Sequence, residues 1–422
     1  MIFYERESII TKMMIDKIRR ILEHSYQTVP YYNDIFQKNN ILIDRIKSLE
    51  DYQMIPMLDK EKILDQYDSF ISNSYDKNDL VVEHTSGTTG IPLNIYKTRS
   101  DKVLQGHVMW KTRNRIYGVT PDSRYCTWHI KGPSIYNVGN RLQFSCIMMN
   151  DECLEQYSTA IIKHQPEWLF GGAETWLILA EYMKKRGFIP PRSIKFIEST
   201  GGQLRKDTAK YLSEFFECSV DDMYGCIEMY GIARSKGMSE LKVLEDNVYL
   251  EIVDENGKRV PDGTYGSILL TSLNSYAMPF IRYRIGDIGR LIAYADKGGD
   301  KKYLELKKTR INERIITDTN ENVDADIFHC AIERLNRNKS YTILQYKVIQ
   351  KTISKFDVYL RLNDDKNEIR ETVKNDFLNE IVLYGLTGCE WDIKFVDRLE
   401  INQLTGKYQY FVQMGEKQNE IL

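Results

Sequence analysis

The chain has 422 residues, a formal net charge of −2 and 42% hydrophobic residues. This length and this apolar fraction are enough for a globular protein of two or three domains with ample core. The nearly neutral charge argues against a nucleic-acid partner, and no apolar run reaches the roughly 18 residues that a membrane span needs.

Residues 5–40 predict an amphipathic helix and its exit. Met13, Ile18 and Leu22 are among the apolar residues that recur near helical spacing, and Pro30 breaks the pattern. The N-terminal sequence MIFYERESII carries charge where a signal peptide has its apolar core. We therefore expect a protein that is not exported and that acts in the cytoplasm.

A loop rich in hydroxyl residues and glycine follows a short strand predicted at residues 80–83. Its sequence is HTSGTTGIPL, in which Gly87 and Gly90 allow backbone N–H groups to turn toward an anion. Side-chain donors are added by Thr85, Ser86, Thr88 and Thr89. The alternative is a polar surface turn. Because the loop lacks the lysine of a P-loop, a cation for bound phosphates must come from elsewhere.

The middle of the chain alternates between helical and strand patterns. Residues 153–187 predict helical pieces around Gly171-Gly172, with Gly187 as a C-terminal cap, and a strand is predicted at 194–198. This alternation predicts α/β layers. Residues 247–273 change character and predict antiparallel strands.

The C-terminal part of the chain predicts a separate, smaller α+β unit. The segment from Tyr341 predicts two strands, followed by a helix near 366–383 and a strand at 391–396. Together these elements make a compact unit of roughly 110 residues, within the usual size of a domain. We place its boundary near Thr309-Arg310.

Four motifs occur in the order in which a known family has them, across nearly the whole chain. They are HTSGTTGIPL at 84–93, Met223-Tyr-Gly-Cys-Ile-Glu228, Tyr283-Arg-Ile-Gly-Asp287 and Leu404-Thr-Gly-Lys407. The set resembles the phosphate loop, the YGxxE motif, the Y-x-x-G-D motif and the terminal G-K motif of the acyl-adenylate-forming enzymes. This superfamily includes acyl-CoA synthetases, adenylation domains and luciferases.

Three further stretches are similar to the phenylacetate–CoA ligase group: residues 22–32, 55–60 and 244–252. Within that group the chain resembles the short ligases found with capsule and surface-polysaccharide biosynthesis. The resemblance implies an α/β fold with a large layered N-terminal domain, 1–308, that binds ATP and the acid. It also implies a small mobile α+β C-terminal domain, 309–422, that acts as a lid and carries the catalytic lysine.

The resemblance implies an ATP- and Mg²⁺-dependent ligase that activates a small carboxylic acid as an acyl-adenylate. The acyl group would then pass to a thiol, either coenzyme A or the pantetheine of an acyl-carrier protein. An amine acceptor, giving an amide, is one alternative. A nucleotide-binding protein that has lost ligase activity is another, and a phosphotransferase, which would make ADP, is a third.

The resemblance also implies roles for individual residues. Lys407 would bridge the carboxylate, the α-phosphate and the ribose oxygen, and so supply the missing cation. Glu228 would bind Mg²⁺, which needs few carboxylates when phosphate oxygens and water complete its shell. Asp287 would accept both ribose hydroxyls. The other ATP-binding residues implied are Thr85, Ser86, Gly87, Thr88, Thr89, Gly90, Gly201, Gly202, Gln203, Tyr224, Gly225 and Arg310.

The acid pocket is expected between the phosphate loop and the YGCIE motif. Lys131 could attract a second charge on the acid, and Trp128 or Trp176 could stack on an aryl ring. The alternative is that the tryptophans belong to the core and that the lysine is solvated. The full set of candidates is Trp128, His129, Lys131, Phe170, Gly171, Gly172, Ala173 and Trp176.

Two features of the sequence depart from the family pattern, and a third, Cys226, allows two interpretations. The junction reads Thr309-Arg310-Ile311-Asn312, without the usual glycine and with asparagine where the hinge acid is expected. Ile227 replaces the threonine of YGxTE-like versions. Cys226 lies inside the motif, where a pocket residue is favoured over a nucleophile because no basic partner is near in sequence. The seven cysteines lack C-x-x-C spacing, and no structural metal site is predicted.

Overall fold

The computed structural model describes residues 2–85, 93–202, 204–237, 239–293, 302–310, 314–317, 323–362, 366–399 and 408–413. The chain divides into two compact units. Unit 1 consists of Met1–Ser123 and Asp221–Lys307, and unit 2 of Arg124–Val220 and Lys308–Leu422. The two domains expected from the sequence, 1–308 and 309–422, stay a prediction.

Helices and strands are numbered here in chain order. The helices are α1 (Ile2–Thr28), α2 (Pro30–Lys38), α3 (Leu49–Tyr52), α4 (Lys60–Asp65), α5 (Arg99–Tyr117), α6 (Asp151–His164), α7 (Ala173–Arg186), α8 (Lys206–Phe216), α9 (Asp326–Asn338) and α10 (Asn367–Leu383). The first ten strands are β1 (Val81–His84), β2 (Asn94–Lys97), β3 (Tyr125–His129), β4 (Ile135–Val138), β5 (Arg141–Ser145), β6 (Trp168–Gly171), β7 (Phe196–Ser199), β8 (Ser219–Cys226), β9 (Tyr230–Arg234) and β10 (Leu241–Val243). The others are β11 (Val248–Val253), β12 (Gly266–Ser272), β13 (Tyr283–Ala293), β14 (Lys302–Arg310), β15 (Arg314–Ile315), β16 (Val323–Asp324), β17 (Ile343–Thr352), β18 (Lys355–Leu362), β19 (Glu390–Phe395) and β20 (Phe411–Val412).

Two helices open unit 1, and the break predicted at Pro30 is confirmed. Proline has no N–H to donate, so it is tolerated in the first turn of α2, where that group has no helical partner. Ile18 and Leu22 of α1 are fully buried and belong to a core that also takes in the unit's sheet. No helix among the described residues meets the length and apolarity that a bilayer span requires.

The strands of unit 1 follow the order β11-β12-β13-β14-β10-β9-β8. The antiparallel pair predicted within 247–273 is confirmed, since β11 and β12 pair with Val248 opposite Ser272. A separate hairpin of β1 and β2 brings together the two ends of the segment that contains the glycine-rich loop. Helix α5 follows this hairpin at a capping box, in which Thr98 and Asp101 each accept the other's backbone N–H.

The first segment of unit 2 contains a mainly parallel sheet with strands in the order β7-β6-β3-β5-β4. The interpretation of 153–187 as helical pieces is wrong at residues 168–171, which form β6 between α6 and α7. A four-residue apolar strand paired in parallel on both sides gives no periodicity that separates it from a buried helix. The cap predicted at Gly187 is confirmed by its left-handed φ of 76°.

The second segment of unit 2 is the predicted α+β arrangement. Its sheet has the order β19-β18-β17-β20, in which β17 and β18 pair antiparallel and the outer strands pair parallel. Helix α10 covers residues 367–383, close to the predicted 366–383. The core of this segment contains Phe328, Val358 and Phe377, all buried.

Candidate active site

The YGCIE motif forms the turn of the hairpin between β8 and β9 in unit 1. Cys226, the last residue of β8, pairs with Tyr230, the first residue of β9. A side chain at Gly225 would overlap the backbone carbonyl oxygen of Tyr230, so only glycine allows the chain to return this closely. The turn leaves the Glu228 side chain buried, with 8% of its surface exposed.

Two tyrosine–carboxylate hydrogen bonds connect the YGCIE and YRIGD motifs. Tyr224 of the first motif donates its hydroxyl to Asp287 Oδ2 of the second at 2.7 Å. In return, Tyr283 of the second donates to Glu228 Oε1 of the first at 3.2 Å. Burial, with the nearby Glu228 carboxylate, raises the pKa of Tyr283, so its hydroxyl stays protonated and remains a donor. The structure thus pairs each predicted carboxylate with a tyrosine of the other motif.

Glu228 is the only predicted metal ligand, and its role in binding magnesium stays a prediction. Among the residues the structure describes, no cluster of three or more His, Cys, Asp or Glu side chains could hold a metal. A single carboxylate is enough for Mg²⁺ when phosphate oxygens and water fill its other positions.

Lys97 connects the β1–β2 hairpin to the YGCIE turn, and it is not among the site residues predicted from the sequence. Its ammonium donates to the Ile227 carbonyl at 2.6 Å and to Gln105 Oε1 at 3.0 Å, and it pairs with Glu83 Oε2 at 3.1 Å. It also lies 3.6 Å from the centre of the Tyr230 ring. Burial lowers the pKa of Lys97, and Glu83 opposes that shift.

A signal for Lys97 exists in the sequence. Strand alternation puts Ile95 and Lys97 on one face of β2, and both are buried, while Asn94 is exposed. A lysine on the apolar face of a strand needs a buried partner, because an unpaired buried charge is costly. The need for a partner identifies Lys97 as a residue of interest, but it does not identify the partner.

The surroundings of Cys226 argue against a role as a nucleophile. Its side chain is partly buried, and burial followed by the Glu228 charge raises the pKa of the thiol well above its usual value. Lys97 opposes this shift only weakly, as the last of its causes. Because the thiolate is the reactive form, a raised pKa argues against nucleophilic catalysis.

The described ATP-site candidates are divided between the two units. Thr85 closes the mouth of the glycine-rich loop, since its Oγ1 accepts from Leu93 N at 2.8 Å and its own N donates to Leu93 O at 2.9 Å. Gly201 and Gly202 follow β7 in unit 2 and are exposed. Arg310 ends β14, but its side chain lies outside the described residues. Also outside them are Ser86, Gly87, Thr88, Thr89, Gly90, Gln203 and Lys407.

The acid-pocket candidates lie at the carboxyl ends of β3 and β6 and in the first turn of α7, all in unit 2. The ring centres of Trp128 and Trp176 are 4.7 Å apart. Gly171 makes this approach possible, because a Cβ there would lie 2.8 Å from Trp128 Cδ1. Lys131 is exposed beyond β3, as the solvated alternative expects. Phe170, Gly172 and Ala173 complete the predicted group along β6 and the start of α7.

Comparison with known proteins gives relatives but no matching family profile. The chain is 26% identical to the phenylacetate–coenzyme A ligase of Pseudomonas putida over 293 residues, which are 66% of this chain and 66% of that protein. The Escherichia coli enzyme of the same name is 25% identical over 296 residues, 66% of this chain and 67% of that protein. The match thus spans just under two thirds of the length of the Pseudomonas relative.

Solved structures of low sequence identity share the fold. A 2-hydroxyisobutyryl-CoA ligase in complex with R3-HIB-AMP has a TM-score of 0.75 at 15% identity, covering 96% of this chain and 90% of that one. The GH3.15 acyl acid amido synthetase has a TM-score of 0.61 at 12% identity, covering 93% and 87%. The curated relatives and the four ordered motifs show that the chain is similar to the phenylacetate–CoA ligase-like branch of the acyl-adenylate-forming superfamily, and these structures show that it shares their fold.

Proposed function

We propose that the chain is a ligase that activates a carboxylic acid with ATP and transfers the acyl group to the thiol of coenzyme A. The observation that carries this proposal is the pair of hydrogen bonds between the two motifs, Tyr224 to Asp287 and Tyr283 to Glu228. These bonds fix the orientation of two carboxylates whose chemistry suits a ribose diol and a magnesium ion. The named activity of the curated relatives supports the same reaction class.

The reaction has two halves. In the first, a carboxylate oxygen of the acid attacks the α-phosphorus of ATP, and the bond to pyrophosphate breaks. In the second, a thiolate attacks the acyl carbon, and AMP leaves. We assign Asp287 to the ribose hydroxyls and Glu228 to Mg²⁺, which would screen the phosphate charge when bound. Use of ATP fits the cytoplasmic location expected from the sequence.

We assign Lys407 to the first half-reaction, as the cation that the glycine-rich loop lacks. The residues directly after it are anchored within unit 2. Tyr408 donates its hydroxyl to Tyr346 O at 2.7 Å, and Tyr410 donates to Glu174 Oε1 at 3.0 Å. These two hydrogen bonds concern the residues that follow Lys407, which itself lies outside the described residues. Rotation of the C-terminal segment about the Thr309–Asn312 junction is part of the proposal, and this rotation breaks the hydrogen bond between Tyr410 and Glu174.

A pyrophosphate-release assay over a panel of acids, with chromatography of the nucleotide product, tests this function. We expect AMP and pyrophosphate in equal amounts, and acyl-CoA when coenzyme A is added. The Tyr341→Phe variant serves as a folding control, because its hydroxyl contacts Asp376 and none of the assigned residues. ADP as the only nucleotide product would overturn the proposal in favour of a phosphotransferase.

An amine acceptor is the second candidate, because an acyl acid amido synthetase shares the fold at a TM-score of 0.61. The two candidates differ only in the second half-reaction. Supplying coenzyme A and amino acids in parallel to the same acyl-adenylate separates them. Amide formation without any thioester would favour this alternative, and thioester formation would favour coenzyme A.

A further inference from the structure

Several buried polar atoms in unit 2 have no hydrogen-bond partner within the part of the chain that the structure describes. Four residues at the carboxyl ends of β3 and β5 and in α7 contribute five such atoms: Trp128 Nε1, His129 Nδ1, His129 Nε2, Ser145 Oγ and Trp176 Nε1. Native proteins pair nearly all their buried polar groups, so a local group of unpaired ones needs an explanation.

The four residues are neighbours in space. Trp128 packs against Trp176, with ring centres 4.7 Å apart. His129 follows Trp128 and lies opposite Ser145 in the parallel pair of β3 and β5. Because successive strand residues alternate between faces, the two indoles flank one face of the sheet and the histidine and serine flank the other. Ligands of parallel sheets bind beyond the carboxyl ends of the strands, where both pairs can be reached.

The donors and acceptors in this group define the chemistry that would satisfy them. An indole N–H only donates, a neutral imidazole donates once and accepts once, and a hydroxyl does both. A ligand that accepts hydrogen bonds would therefore satisfy both indoles. A purely hydrocarbon acid would leave both unpaired in a buried place. Trp176 is fully buried, and its Nε1 lies 3.8 Å from the position that a Cβ would take on Gly171, a position that Trp128 Cδ1 approaches to 2.8 Å.

We propose that the acid activated by this chain carries a neutral hydrogen-bonding substituent, a hydroxyl or an oxo group, that binds at this edge. The inference rests on the proposed ligase function and names its substrate class. The reacting carboxylate cannot fill this role, because it must be directed to the α-phosphate. A second carboxylate fits poorly, because a buried anion needs a cationic partner and Lys131, the nearby lysine candidate, is exposed.

Matched pairs of acids test the substrate class. The pairs are phenylacetate with 4-hydroxyphenylacetate, isobutyrate with 2-hydroxyisobutyrate, and butyrate with succinate. We expect pyrophosphate release to show a kcat/KM at least about 10-fold higher for the hydroxylated member of one of the first two pairs, since sites built for a hydrogen bond reject analogues that lack it. Preference for the unsubstituted acids, or for succinate over all others, would overturn the inference.

The Trp176→Phe variant removes the N–H and keeps an aromatic ring. In this variant the ratio of kcat/KM for the hydroxylated acid to kcat/KM for its unsubstituted partner should fall about 10-fold. Ser145→Ala should lower the same ratio, and it serves as the test variant if Trp176→Phe does not fold. Trp168→Phe is the matched control, because Trp168 is equally buried but stacks on Phe196 from the first residue of β6, and this variant should keep the ratio. A ratio unchanged in Trp176→Phe and in Ser145→Ala contradicts the inference.

Failure of the ligase function would look different from failure of this inference. If wild-type protein releases no pyrophosphate with any acid, the proposed function is wrong. Binding of the same acid pairs to wild-type protein, measured by calorimetry, then decides the substrate class. Tighter binding of the hydroxylated member, lost in Trp176→Phe, supports the hydrogen-bonding edge, and equal binding of both members overturns it.

Discussion

Two buried polar side chains in the first turn of α7 have opposite surroundings, although only one residue separates them. Glu174 is almost fully buried and accepts hydrogen bonds from Tyr410 at 3.0 Å and from Gln345 and Thr208 at 3.3 Å. Trp176 is fully buried, yet its Nε1 finds no partner among the described residues. We interpret the first kind of site as structural support and the second as a place for a ligand.

The supported site extends beyond Glu174 to a buried arginine. Arg205 donates to the carbonyls of Leu344 at 3.0 Å and Ile343 at 3.1 Å, and it also pairs with Asp207. Its charge offsets part of the burial that raises the pKa of Glu174. The cluster therefore joins α7 and the start of α8 to β17. The terminal guanidinium nitrogens of Arg205 and the Glu174 carboxylate all have partners, whereas Arg205 Nε has none among the described residues.

The largest effect we expect comes from breaking this paired cluster at its centre. Arg205→Met should lower the free energy of unfolding by about 3–5 kcal/mol, because it leaves buried acceptors without their cation. Urea unfolding measures it. Arg186→Met is the control: its ion pair with Asp151 at 3.2 Å is exposed, and exposed pairs contribute about 0–1 kcal/mol. Equal losses in the free energy of unfolding of both variants would show that the buried, hydrogen-bonded cluster does not stabilise the fold more than an exposed ion pair does.

Lys407 provides the next test, since the paired cluster holds the residues that follow it. Lys407→Ala should slow acyl-adenylate formation by a factor on the order of 10²–10³, the usual effect of losing one preorganised electrostatic contact at a transition state. ATP affinity should change little if the contact forms mainly in the closed state. Transfer from chemically supplied acyl-adenylate should proceed near the normal rate, and equal loss in both half-reactions would mean that the lysine is structural.

Asp287 tests whether a carboxylate that is already paired can also serve a ligand. Asp287→Ala should weaken nucleotide binding by roughly 1.5–3 kcal/mol for each charged hydrogen bond lost. Discrimination between ATP and its 2′-deoxy analogue should shrink as well. Calorimetry with ATP and with its 2′-deoxy analogue measures the two binding free energies. Tyr224→Phe, which removes only the supporting hydroxyl, should lose less, and wild-type binding by Asp287→Ala would remove this residue from the ribose site.

The sequence was sufficient for the features that local pattern determines. The strand pair at 247–273 and the C-terminal order of strands and helix follow from spacing and alternation, whereas the motif around Glu228 was identified by its resemblance to a known family. The sequence did not predict which distant residues contact each other in the folded protein. Lys97 meets the Ile227 carbonyl across 130 residues of sequence, and Arg205 meets Leu344 across 139. Nothing local to either residue specifies such a partner, and the same holds for the unpaired state of Trp176.

The smallest effect concerns Tyr410, and it tests the paired site by pH. Tyr410→Phe removes one of several donors to Glu174, so the loss at neutral pH should be about 0.5–1.5 kcal/mol. Burial raises the pKa of Glu174 in the folded protein, and Tyr410 is among the contacts that lower it. Without that donor the pKa rises further, which disfavours the ionised carboxylate in the folded state.

The sign of the pH dependence follows from this shift. A carboxyl group whose folded pKa lies above its unfolded value contributes stability at low pH and loses it as pH rises through the folded pKa. The gap between wild type and Tyr410→Phe should therefore widen from pH 5 to pH 8 in urea unfolding. Tyr341→Phe, which loses a hydroxyl bond of 2.9 Å to Asp376, leaves Glu174 untouched and should not change the pH dependence that Glu174 contributes. If the difference in the free energy of unfolding between wild type and Tyr410→Phe stays constant with pH, the hydroxyl of Tyr410 does not stabilise the Glu174 carboxylate. The hydrogen-bonded site at Glu174 would then not be a structural support.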